Sequence, residues 1–143
     1  MTDLIRAKEL LAAGEHTCVL CRGEQTLTSD LRGVAPLVEW LTAGVDLSGY
    51  SAADKVVGKA TAFLYVLAGV VAVHAPVVSD AAAQVLEQHG VALTFGQRVG
   101  AIRNRAGTGR CPMESAVQNI TDPNEALGTI RETLHALRSA GSK

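Results

Sequence analysis

Between Ser51 and Val99 the chain runs through apolar blocks of changing period, separated by glycine or proline. The longest, Ala60 to Val78, is interrupted by Gly69, His74 and Pro76. Its first half is rich in alanine, leucine and aromatic residues. Its second half turns to valine and other small residues. That shift reads as a buried helix followed by a buried strand, and not as a membrane span, which needs about 20 uninterrupted apolar residues. The flanking signals extend the pattern. Ser51 is a good N-cap, with Asp54 in the capping-box position, so a buried helix is expected over Ala52–Ala68. Gly69 ends it, and Val70–Val73 follows as a strand covered on both faces. Ser79 caps a helix from Asp80 to His89, Gly90 stops it, and Val91–Phe95 returns as a strand.

Upstream, Leu4, Leu10 and Leu11 lie near one face of a short helix that stops at Gly14. Thr17–Cys21 and Gln25–Ser29 are β-prone and joined by Arg22-Gly23-Glu24, a hairpin signal. Gly33 opens a helix containing Pro36, Leu37, Val38, Trp40 and Leu41 that ends at Gly44. Val99–Arg103 fits a short helix or a strand. Downstream, helices are expected from Met113 to Asn119 and from Asp122 to about Leu137. The series implies an α/β sandwich with a mixed sheet. A chain of 143 residues fits a single domain over 1–143, with a core of about 15–137 and a flexible tail from 138 to 143.

Composition narrows the partners. The formal charge of −1 gives no reason to expect a nucleic acid polymer or an acidic membrane surface. An aromatic content of 3% argues against base-stacking platforms. Met1-Thr2-Asp3-Leu4-Ile5-Arg6 carries no secretory pattern. The 3 cysteines are an odd number, so reduced thiols in a cytoplasm are expected. The many small apolar residues suit close helix packing and leave a homodimer and a monomer equally open.

The residues with chemical potential cluster in Asn104-Arg105-Ala106-Gly107-Thr108-Gly109-Arg110-Cys111-Pro112-Met113-Glu114. Proline suits the first helical position. Cys111 then stands at the N-cap, with Glu114 placed to reach back in a capping box. A thiol at a helix start beside arginines has a lowered pKa, which makes Cys111 the candidate catalytic nucleophile. Gly107 and Gly109 permit close backbone approach, so the loop with Arg105, Thr108 and Arg110 can cradle an anion. It is not a Walker loop or a dinucleotide fingerprint. Asp122-Pro123-Asn124-Glu125 repeats the layout with aspartate at the cap, so capping alone does not account for the sulfur. A small buried hydrophobe at Cys111 and an ordinary glycine turn before it remain the plain alternatives.

Lys55 and Lys59, one helical turn apart on the expected helix, are placed to line an anion pocket or to snorkel to solvent. Cys18 and Cys21 spell Cys-x-x-Cys, but residues three apart on a strand point to opposite faces, so neither a disulfide nor a metal site is expected from them. His74 is expected to be a satisfied core histidine. No metal or cofactor is expected.

Asp54-Lys55-Val56-Val57-Gly58-Lys59-Ala60, Ala75-Pro76-Val77-Val78-Ser79 and Asn104 through Glu114 together resemble a small prokaryotic family of unknown function with a cytidine deaminase-like fold. The resemblance spans about residues 15 to 130. It implies a three-layer α/β/α sandwich and a pocket between two helix starts. Deaminases hold zinc there through a His/Cys-x-Glu motif and a Pro-Cys-x-x-Cys motif. The matching stretches here, Asp54–Val57 and Val77–Asp80, carry no such set. The expected function is therefore binding of a small anionic or nucleotide-like ligand without metal. Asp54, Lys55, Ser79, Asn104, Arg105, Gly107, Thr108, Arg110 and Glu114 would contact it, and Cys111 would carry any chemistry. The alternative is a non-catalytic structural or interaction module with a vestigial pocket. A redox sensor pairing Cys111 with Cys18 or Cys21 is a third.

Overall fold

The computed structural model describes residues 2–14, 16–31, 33–100 and 112–141. Helix α1 (Thr2–Ala13) leads into the hairpin β1 (Cys18–Arg22) and β2 (Gln25–Ser29), followed by α2 (Ala35–Thr42). Then come β3 (Ser51–Asp54), β4 (Val56–Val57), α3 (Lys59–Ala68), β5 (Ala72–Ser79), α4 (Asp80–Gln88) and β6 (Ala92–Val99). Helices α5 (Pro112–Ala116) and α6 (Pro123–Gly141) close the described chain.

The strands form one mixed sheet. β1 pairs antiparallel with β2 and with β3, while β3, β4 and β6 each pair parallel with β5. β3 and β4 are two parts of one path. Between them Lys55 donates its amide to Thr17 O at 3.1 Å and accepts from Val77 N at 3.1 Å. The hairpin turns at Gly23, whose φ of +58° is open to glycine and strained for other residues.

Side chains alternate along β1 and β3. Cys18, Leu20 and Ala52 belong to the large core, with Phe63, Leu64 and Tyr65 of α3 and residues of α2, α4, α5 and α6. Val19, Cys21 and Ala53 form a second cluster with Ala7 and Leu11 of α1. The two cysteines of Cys-x-x-Cys therefore lie on opposite faces, both buried and both free thiols, as strand parity requires.

The expected helix over Ala52–Ala68 is corrected. Ser51–Asp54 is a strand, and α3 begins at Lys59 with Gly58 as its N-cap. The Ser51 and Asp54 capping signals are local. They lose to pairing on both sides, with Cys18–Cys21 of β1 and Ala72–His74 of β5. All four residues of β3 are buried, so small side chains are needed there for strand packing. Lys55 and Lys59 consequently share no helix. β5 and β6 also start later and run longer than expected, to Ser79 and Val99. Gly69 does terminate α3, with φ +80°, and Ser79 does cap α4. α6 continues to Gly141, beyond the expected end near Leu137.

Candidate functional site

The parallel strands bring two helix starts together. Val56 and Val57 of β4 stand in register with Val77 and Val78 of β5. The next residues, Gly58 and Ser79, are the N-caps of α3 and α4. Adjacent strands lie about 4.8 Å apart, so the two positive helix ends sit side by side at the carboxyl ends of these strands.

The α3 end holds a carboxylate supplied by the chain itself. Glu114 Oε1 accepts from Lys59 N at 2.7 Å, and Oε2 accepts from Ala60 N at 3.1 Å. Gly58 has no cap side chain to compete. A Cβ there would stand 2.5 Å from Glu114 Oε2, so glycine is what admits the carboxylate. Lys59 returns the contact, donating from Nζ to Gln118 O at 2.9 Å. Its ammonium also lies 5.6 Å from the Phe63 ring centre. Glu114 thus caps α3, reaching across 55 residues of sequence, while the Cys111 amide of its expected capping box lies outside the described residues.

The α4 end is capped locally. Ser79 is 1% exposed, and its Oγ accepts from Ala82 N at 3.0 Å. Asp80 in the first turn pairs with Arg98 Nε of β6 at 2.6 Å.

Asp54 lies inside the molecule. It is 6% exposed, and Oδ2 accepts from Tyr65 OH at 2.8 Å. Tyr65 OH also lies 3.2 Å from Cys18 Sγ. Burial pushes the Asp54 carboxyl up to about 7, against the opposing pull of hydrogen bonds from Tyr65, the Val56 amide and Cys18. Burial likewise pushes up the Cys18 thiol and the Tyr65 phenol, and the nearby Asp54 charge adds to both.

The remaining candidates are dispersed. Lys55 is exposed in the break between β3 and β4. His74 Nδ1 is 2.7 Å from Thr94 Oγ1, and partial burial, aided by the charge of Lys8, lowers its pKa. Asn104, Arg105, Gly107, Thr108, Arg110 and Cys111 lie outside the described residues. The separation that a Cys111 disulfide would require is therefore also outside the description. Among the described residues no group of three His, Cys, Asp or Glu side chains can hold a metal ion. No helix among them is long and apolar enough to cross a membrane.

Sequence reasoning missed Tyr65 and Cys18 as partners of Asp54, and Gly58 as the seat of Glu114. A signal for the first existed. An aspartate within Ser51–Asp54, among small buried residues, needs an internal donor.

Residues 6–134 match the family described as "Domain of unknown function (DUF1893)". The chain belongs to this family. It is also similar to the crystal structure of a DUF1893 family protein from Thermotoga maritima at 2.70 Å resolution. The identity is 25%, covering 95% of this chain and 91% of that one, with a TM-score of 0.82. No curated protein matches the chain at a significant level. DUF1893 membership spans both the α3 start and Glu114, so the two partners of the carboxylate contact lie within the matched region.

Proposed function

We propose that this DUF1893 chain is a metal-free, deaminase-like α/β/α domain that binds a small anionic or nucleotide-like ligand beside the α3 and α4 starts. The supporting observation is the Glu114 carboxylate on Lys59 N and Ala60 N. That edge already accommodates an anion, as helix N-termini do in phosphate sites. Open α/β sheets commonly receive ligands outside the carboxyl ends of their parallel strands, where β4 and β5 end here.

The deaminase-like reading draws on three further features. β1 runs antiparallel to β3 while β3, β4 and β6 run parallel to β5. Apolar clusters lie on alternate faces of the sheet. The two helix starts follow adjacent strands and carry Gly58-Lys59 and Ser79-Asp80, without cysteine or histidine. In this reading Ser79 and Glu114 border the ligand, and Lys55 supplies positive charge from the rim. Asp54 acts from behind, through Tyr65. Asn104, Arg105, Gly107, Thr108 and Arg110 complete the ligand contacts, and Cys111 is the group to which any covalent chemistry is assigned. Cytoplasmic residence belongs to the same proposal.

A second reading has an observation of its own. Because Glu114 occupies the α3 amides, the edge can equally be a structural clamp that fixes α5 to the core. A thermal-shift screen of nucleotides and small phosphates separates the two. Ligand binding predicts a melting temperature that rises with ligand concentration, since a ligand that binds only the native state stabilises it by mass action. A flat response in both the native chain and Glu114→Gln supports the clamp.

A further inference from the structure

Among the described residues Asp54 is the one buried side chain of a type that ordinarily carries full charge. Its surroundings contain no cation. β1 contributes Cys18 and α3 contributes Tyr65. On β5, Val73 and Ala75 belong to the same core, so the intervening His74 points to the opposite face. Lys55, the next residue, is exposed. What remains around the carboxyl is a cluster of three protonatable groups, with Tyr65 OH 2.8 Å from Asp54 Oδ2 and 3.2 Å from Cys18 Sγ, and with Cys18 itself in hydrogen-bonding reach of Asp54.

The chemistry of that cluster admits two complete arrangements. An ionised Asp54 only accepts. Tyr65 must then donate to Asp54, which leaves its oxygen to accept from the Cys18 thiol. A neutral Asp54 carries a proton of its own. It can donate to the Tyr65 oxygen, which frees the phenolic proton to point at Cys18 Sγ. The Cys18 thiol proton then turns to the carbonyl oxygen of the Asp54 carboxyl, with which it also hydrogen-bonds, so every donor of the three keeps a partner in both arrangements.

The geometry points to a buried proton-sensing relay: Cys18, Tyr65 and Asp54 form a hydrogen-bond chain whose direction reverses when Asp54 takes one proton from solvent. No other bond changes, and the proton is the only species exchanged. The relay joins β1, the end of β3 and the middle of α3, so protonation is registered on three elements at once. The energetics favour one titrating group. Burial raises the Asp54 carboxyl to about 7, and it also raises Cys18 and Tyr65, which keeps both of them protonated while Asp54 titrates.

The test is an NMR titration of the full chain from about pH 5 to about pH 9, a span that brackets the shifted carboxyl and excludes free tyrosine. Carbon-13 labels are placed on the Asp carboxyls, the Tyr ring carbon bearing the hydroxyl, and the Cys β-carbons. Asp54, Tyr65 and Cys18 are expected to shift together with one midpoint near 7. The signals of Tyr50 and Cys21, which have other partners, are followed alongside. In Tyr65→Phe Asp54 still titrates and its midpoint moves up, because a hydrogen bond favouring its charged form is gone, and Cys18 follows it to the higher midpoint. Should that variant fail to fold, Cys18→Ala replaces it, with Tyr65 still following Asp54. An Asp54 midpoint near the ordinary value of about 4 overturns the relay. So does an Asp54 titration that Tyr65 and Cys18 do not follow, or an Asp54 midpoint that Tyr65→Phe leaves unmoved.

Discussion

Removing the Glu114 carboxylate is expected to destabilise the fold through the start of a helix far away in sequence. Glu114→Ala takes away the acceptor of two amides, Lys59 N and Ala60 N. Gly58 has no side chain to replace it. A hydrogen bond to a charged group contributes about 1.5–3 kcal/mol, and loss of a helix cap costs about 1 kcal/mol in typical cases. The contact is half-buried, so water re-solvates part of what is lost. A cost of about 2–3 kcal/mol follows, or about 5–10 °C in melting temperature for a domain of this size. Glu114→Gln keeps an acceptor but removes the attraction to the helix dipole, and about 1 kcal/mol is expected. Urea unfolding followed by circular dichroism measures both, with a lower midpoint and an unchanged slope. The specific mechanism is tested by pairing the change with Gly58→Ala. In the native background a Cβ at 58 meets Glu114 Oε2 at 2.5 Å and must displace it. In Glu114→Ala that obstacle is gone, and at φ −98° an alanine fits without strain. Gly58→Ala should therefore destabilise the native chain and be neutral or mildly stabilising in the double variant. Equal costs in both backgrounds, or a Glu114→Ala cost below about 0.5 kcal/mol, refute the reasoning.

Further outcomes follow from the same structure. Burial raises the folded Asp54 carboxyl to about 7, above its ordinary value of 3.8. Its contribution to stability is full below the unfolded value and is lost as pH rises through the folded one, a total of about 4 kcal/mol at 1.36 kcal/mol per unit. Urea unfolding at several pH values should show Asp54→Asn without this fall, and parallel profiles for the two chains would contradict it. Ser79→Ala removes the cap on Ala82 N and should cost about 1 kcal/mol in the same assay, with no pH dependence of its own. Gly69→Ala places a side chain at φ +80°, with Ser48 Cβ 3.3 Å away, and should lower stability by about 1 kcal/mol or more.

The hairpin was legible because its signals are local: an apolar, β-prone run over β1, a second β-prone run over β2 and a glycine turn between them. The opposed faces of Cys18 and Cys21 followed from strand parity alone. The caps at Ser79 and Gly69 also read correctly, since each is decided within one turn of chain. The start of α3 did not. Ser51 and Asp54 carry a respectable capping pattern, and only pairing with β1 and β5 makes that segment a strand. Glu114 posed the same difficulty. Its spacing from Cys111 suits a cap on its own helix, whereas the amides it meets lie 55 and 54 residues back. The Asp54, Tyr65 and Cys18 line needs separations of 11 and 47 residues, and no periodicity encodes those. The motifs carried the resemblance to a small prokaryotic family of unknown function, and the mixed sheet with flanking helices agrees with the expected α/β class. The ligand is not written in any of these features, because a fold does not fix its function.

The most direct test of the anion-binding account is an amide chemical-shift map of the full chain titrated with inorganic phosphate and with nucleoside phosphates. The account predicts saturable shifts concentrated at Gly58, Lys59 and Ala60 and at Ser79, Asp80 and Ala81, enlarged in Glu114→Gln, where the competing internal charge is gone. Shifts that are absent from both helix starts in the native chain and in Glu114→Gln would contradict it.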